Sequence, residues 1–83
     1  MLEHLESLRQ MPRDLTENFD KANALIFKSG LSRADVSALT SISIPRVHSI
    51  YRGGIKELER VTPATLITLA QGYDKLVIEL DKF

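Results

Sequence analysis

Residues 31–53, LSRADVSALTSISIPRVHSIYRG, constrain the fold of this chain more than any other stretch. They read as two short helices joined by a tight turn and closed by glycine. Ser32 is placed to cap the first helix, with Asp35 three residues on as the returning side chain of a capping box. Leu31 before the cap and Val36 after it stand at the spacing of a hydrophobic staple. The second helix repeats the arrangement: Ser43 as cap, Ile42 and Val47 as staple, Gly53-Gly54 as stop. Val36 and Leu39 share one face of the first helix, and Val47, Ile50 and Tyr51 share one face of the second. Helices this short are marginal alone in water, so they must pack on each other and on flanking helices.

This stretch resembles the helix-turn-helix of the lambda-repressor-like (Xre-type) family of phage and bacterial regulators, in register across its 23 positions. Leu31-Ser32-Arg33 stands where that family has Leu-Thr-Gln. Val36 stands at its buried leucine, and Ser37 at the small residue that lets the two helices approach. Ile42-Ser43 matches the buried residue and the cap, Val47 and Ile50 the two core positions of the recognition helix, and Arg52-Gly53 the closing pair. Ser41 stands where the turn glycine is typical, Thr40 where a buried leucine is typical, and Leu39 where a polar residue is typical. Ile44 and Pro45 stand where polar base-reading residues are common. Together, pattern and resemblance lead to an all-α fold: a small helix-turn-helix bundle of four to five helices in one domain, residues 1–83. An extra dimerisation helix or strand over residues 73–83 is compatible with the same pattern.

Eighty-three residues suit one domain with a modest core. Apolar content of 43% and charged content of 27% are ordinary for a soluble globular chain. No apolar run reaches the roughly 18 residues that a membrane span needs, so no membrane partner is expected. The opening MLEHLESL carries acids and no apolar core, which does not read as a secretory signal. The absence of cysteine removes disulfide and thiolate chemistry and fits a cytoplasmic setting. Net charge is zero, but it is unevenly spread. Residues 28–60 hold six Lys/Arg against three Asp/Glu, a net +3, while both flanks are net negative. The basic excess thus falls on the motif and the segment after it, as the footprint of a nucleic-acid binder should.

Met1 to Gln10 has Leu2, Leu5 and Leu8 among charges and reads as an arm or short helix, broken at Pro12. Asp14 with Glu17 reads as a capping box opening a helix of about fifteen residues. Leu15, Phe19, Ala22 and Ile26 form its apolar stripe, and Gly30 its C-terminal stop. Residues 53–61 read as a loop with a short turn of structure, Ile55 and Leu58 tucked beneath it. Thr62-Pro63 opens a last helix, with Val61 and Leu66 as staple. Leu66, Leu69, Tyr73, Leu76, Leu80 and Phe83 then follow 3-4 spacing, a heptad-like seam interrupted by Gly72. The helix either ends at Gly72, with helix or strand beyond, or runs through it. Tyr73, Leu76, Leu80 and Phe83 are the expected dimer interface.

The resemblance implies that Ile44 to Arg52 enters a DNA major groove. Arg46 is the leading base reader, since guanidinium matches guanine O6 and N7. A cation in a first helical turn opposes the helix dipole, which suits an external acceptor. Ser49 lies on the same face; Ile44 and Pro45 can touch thymine methyl groups. Arg33 occupies the family's DNA-contacting glutamine position. Phosphate contacts fall to Lys28, Ser32, Ser43, His48, Arg52, Lys56 and Arg60, which position without carrying sequence information. Catalysis gains no support: there is no Gly-rich phosphate loop, and His4 and His48 are far apart without metal-ligand spacing, so no metal or other cofactor is expected. The expected function is a sequence-specific, double-stranded-DNA-binding transcription regulator, a repressor acting as a homodimer, of phage, mobile-element or bacterial origin. The alternative is a protein-interaction module that uses the same fold to bind RNA polymerase, a host factor or a toxin. RNA binding is disfavoured by the scarcity of aromatic stacking residues.

Overall fold

The computed structural model describes residues 10–82, and among these every regular element is helical. We number them α1 (Asn18–Asn23, continuing as a π-helix over Ala24–Lys28), α2 (Arg33–Thr40), α3 (Ile44–Gly53), α4 (Ile55–Leu58) and α5 (Pro63–Leu80). The long α5 is the spine. α1 packs along it, α2 packs on both α3 and α5, and α3 leads into α4. The N-terminal arm or short helix expected over residues 1–13 lies outside the described residues up to Arg9, as does Phe83.

The core is one apolar cluster drawn from every element. Leu25, Val36, Val47, Ile50, Leu58, Leu69 and Tyr73 are fully buried at its centre. Leu15, Phe19, Leu39, Ile42, Tyr51, Val61 and Leu66 pack around it, half-buried. The staples expected around Ser32, Ser43 and Thr62 therefore all supply core residues.

Caps decide where the helices start. The Asp35 amide donates to Ser32 Oγ at 3.1 Å, and the Thr65 amide donates to Thr62 Oγ1 at 3.2 Å. Ser43 has the extended backbone of a cap, but its hydroxyl makes no capping bond. Pro45, two residues on, has no amide to donate, so the proline removes one of the orphan donors that a cap would satisfy. The expected capping box at Asp14 does not form. The chain stays non-helical to Glu17, and α1 begins at Asn18 with no side-chain cap. Leu15 instead packs on the core from this irregular segment. Behind the π-turn, Ser29 is fully buried; its Oγ donates to the Leu25 carbonyl at 2.6 Å and accepts from the Leu31 amide at 3.1 Å.

The turn between α2 and α3 is built by hydroxyls. Ser41 takes the left-handed conformation (φ 64°) where glycine would be at ease. Thr40 Oγ1 donates to the Val36 carbonyl at 2.7 Å and accepts from the Ile42 amide at 3.2 Å. Ser37 Oγ donates to the Ile42 carbonyl at 2.6 Å. Thr40 at a buried apolar position is thus satisfied on both sides of its hydroxyl. At the far end of α3, Gly54 (φ 70°) turns the chain into α4. Leu58 is buried there, but Ile55, expected beneath the loop, is exposed.

α5 runs through Gly72 to Leu80 as one helix, with no strand. A Cβ at Gly72 would stand 2.6 Å from Thr40 Cγ2 and 3.1 Å from Leu25 Cδ2, so the glycine marks a close helix crossing rather than an end. This crossing corrects the expected dimer seam. Tyr73, Leu76 and Leu80 are only 1%, 7% and 8% exposed and sit in the chain's own core. The Tyr73 hydroxyl donates to the Pro12 carbonyl at 2.6 Å, pinning the N-terminal crossing to the spine. A 3-4 seam says that a face must be covered; here α1 and the segment before it cover it.

Candidate nucleic-acid interface

The outward face of α3 follows from what it buries. Val47 and Ile50 point into the core and Tyr51 is half-buried. At about 100° per residue, Pro45 and Ser49 then lie at the centre of the free arc. His48 and Arg52 lie to one side, Ile44 at that side's edge, and Arg46 at the opposite edge. All six are exposed, Ile44 to 51%. Ser49 Oγ donates to the Pro45 carbonyl at 3.2 Å, so its hydroxyl is turned onto its own helix.

Arg46, the expected base reader, reaches sideways. Its Nη2 donates to Thr65 Oγ1 at 3.3 Å, in the first turn of α5. Thr65 Oγ1 also accepts from the capping Thr62 hydroxyl at 3.0 Å. The guanidinium thereby ties the edge of α3 to the start of the spine. Beside this contact, between α3 and the stretch of α4 and its following residues, lies an open groove of about 460 Å³, with Ser43, Pro45, Arg46 and Ser49 on one wall and Glu57, Arg60 and Val61 on the other. Thr65 was not legible as a partner; its place three residues after a capping threonine is the one signal that its hydroxyl would face back along the helix start.

On the other edge, Arg33 begins α2. Its Cζ lies over the Tyr51 ring, 5.1 Å from the centroid. Besides Arg33, two groups hold Tyr51. Its hydroxyl donates to the Leu31 carbonyl at 2.9 Å, and Phe27 meets it edge to face at 6.3 Å and 75°. Burial pushes the Tyr51 phenol above its ordinary pKa of 10.0; the Arg33 charge opposes that and Asp35 adds to it. A half-buried tyrosine needs an acceptor for its hydroxyl, and that requirement was the available hint of the Leu31 bond.

The remaining expected contacts, Lys28, Ser32, Ser43, Lys56 and Arg60, are also exposed. Among the described residues, none of Lys28, Arg33, Arg46, Arg52, Lys56 and Arg60 forms an ion pair. The ion pairs present, Arg13–Asp81 at 3.4 Å, Lys21–Asp74 at 3.0 Å and Lys82–Glu79 at 3.2 Å, involve the segment before α1, α1 itself and the far half of α5. Among the described residues the three ion pairs thus lie in the segments flanking residues 28–60, and the six cations of residues 28–60 form none. No group of three or more His, Asp or Glu among the described residues is placed to hold a metal ion, and no helix there is long and apolar enough to cross a membrane. Comparisons of the chain with protein-family models, with curated proteins and with solved structures find no match.

Proposed function

We propose that this chain is a sequence-specific DNA-binding transcription regulator that inserts Ile44–Gly53 into the major groove. The observation that carries the reading is that Arg33, Arg46, Arg52, Lys56 and Arg60 are exposed and form no ion pair among the described residues, whereas Arg13, Lys21 and Lys82 are paired. An exposed cation with no carboxylate partner releases counterions when it meets a phosphate. Arg33 and Arg52 on one side, and Arg46 and Arg60 at the groove on the other, flank the outward arc of α3 as phosphate contacts flank a reading helix. Pro45 and Ile44 offer apolar contact to thymine methyl groups, and Arg46 offers a guanidinium to guanine once it leaves Thr65. The resemblance of residues 31–53 to the lambda-repressor-like motif supports the same docking. Repression by occupying an operator asks least of so small a chain, and a cytoplasmic homodimer on a palindromic site completes the reading. Such a dimer would form on a surface other than the Tyr73–Leu80 seam.

A second reading is favoured by the exposure of Ile44 and Pro45 together at the start of α3. An apolar pair at that place also suits a protein partner. Duplex binding followed by fluorescence anisotropy across a salt series separates the two. The DNA reading expects affinity to fall steeply with salt, and Arg52→Ala to flatten the log–log slope by about 0.9. Absence of binding at low salt, with capture of a partner protein through Ile44, would replace it by the second reading.

A further inference from the structure

The stack of Arg33 on Tyr51 leads to a role for a residue that no base or phosphate needs to touch. Resting on the DNA-binding reading above, we propose that Tyr51 is a positioning residue, holding the Arg33 guanidinium in register with α3 so that it can clamp a phosphate beside the reading helix. Arg33 belongs to α2 and Tyr51 to α3, so the stack fixes a cation of one helix relative to the other. Tyr51 is itself fixed by the Leu31 carbonyl and the Phe27 edge. It is therefore a rigid platform rather than a second flexible side chain.

The Arg33 Cζ sits over the Tyr51 ring, and none of its N–H groups meets a protein acceptor among the described residues, so its fork of donors is left for a phosphate's two oxygens. Arg33 is exposed and forms no ion pair among the described residues, so no carboxylate holds that fork. An unstacked arginine must give up its rotamer freedom when it contacts phosphate. A stacked one has given up part of it already, and that pre-organisation appears as affinity. Lysine at the same position would carry the charge but not the planar stack.

The test uses anisotropy with a mixed-sequence duplex two helical turns long, at low salt, because a phosphate contact is independent of sequence. Arg33→Lys is expected to weaken binding about two- to fivefold. The same loss is expected in the Tyr51→Phe background, which keeps the ring. In the Tyr51→Leu background the difference between Arg33 and Arg33→Lys vanishes; any loss of folded protein there affects both chains alike. If Tyr51→Leu does not fold, progressively fluorinated phenylalanines at position 51 keep the ring's shape and cancel its negative face. Affinity then falls with fluorination in the native background and stays level in Arg33→Ala. A cost of Arg33→Lys that is unchanged in Tyr51→Leu, that is absent in every background, or that is insensitive to fluorination, overturns the positioning role while leaving DNA binding in place. A native chain that binds no duplex at low salt overturns the DNA-binding reading and this proposal together.

Discussion

Gly72 and Thr40 meet so closely that a Cβ on the glycine would stand 2.6 Å from the threonine Cγ2. The methyl of a buried threonine on α2 thus occupies the space a side chain on α5 would need, and Leu25 of α1 closes the third side at 3.1 Å. Three helices meet at this one point. The geometry makes Gly72→Ala overpacking, at about 1–3 kcal/mol, against a helix-propensity gain of about 1 kcal/mol. We expect net destabilisation of up to about 2 kcal/mol by urea unfolding. Thr40→Ser removes the methyl and keeps the hydroxyl, so the double variant should recover most of that loss. Equal effects of Gly72→Ala with and without Thr40→Ser would show that the crossing is looser than described.

Ser41 holds a left-handed conformation that costs a non-glycine residue about 1 kcal/mol. The hydrogen bond that its backbone N–H donates to the Ser37 carbonyl, at 2.8 Å, does not depend on its side chain. Ser41→Gly should therefore stabilise the chain by about 0.5–1 kcal/mol and raise the melting temperature by a few degrees, on the scale of about 4–8 °C per kcal/mol for a domain this size. A lower melting temperature would contradict this reading of the turn.

Leu76→Ala tests where the C-terminal seam is used. Leu76 sits in the chain's own core, so the substitution should cost about 2–5 kcal/mol, and the loss should be the same at all protein concentrations. A loss that grows on dilution would return the seam to a dimer interface.

Tyr51 links folding to alkaline pH. Its phenol is raised above 10.0 in the folded chain, chiefly by burial, so the unfolded chain releases the proton first. The contribution is complete below pH 10 and is lost as pH rises through the folded-state value. Ionisation also removes the donor to the Leu31 carbonyl. Stability should fall with pH above about 10, and Tyr51→Phe should flatten that part of the profile. An unchanged profile in Tyr51→Phe would show that another group carries it.

Much of the fold is legible because local signals and packing agree. Ser32 and Thr62 act as caps where the pattern puts them, and the apolar positions of the motif supply the core. Ser43 has the cap's backbone but makes no side-chain cap bond, although the Arg46 amide at the position used by the other two caps is still a donor, and a cap-residue pattern does not distinguish the two outcomes. Asp14 and Glu17 have the spacing of a capping box, but tertiary packing of Leu15 takes the segment elsewhere. The seam around Tyr73 shows the limit of periodicity: it reveals a face that must be covered, while the identity of the cover lies in the three-dimensional path of α1 and Pro12. At the candidate site, exposure of Ile44, Pro45, Ser49 and Arg52 followed from the helical period. The sideways reach of Arg46 to Thr65 and the seat of Arg33 on Tyr51 did not, because each joins residues of different helices that only tertiary packing brings together.

The most direct measurement of the central claim is an amide chemical-shift titration of the isotope-labelled chain with duplex DNA at low salt. If α3 enters the groove, the largest shifts fall on residues 44–52 and on Arg33, with Lys56 and Arg60 following and the outer face of α5 around Ile67 and Ile78 unmoved. No shifts, or shifts centred on that face of α5, would contradict the assignment of α3 as the nucleic-acid interface.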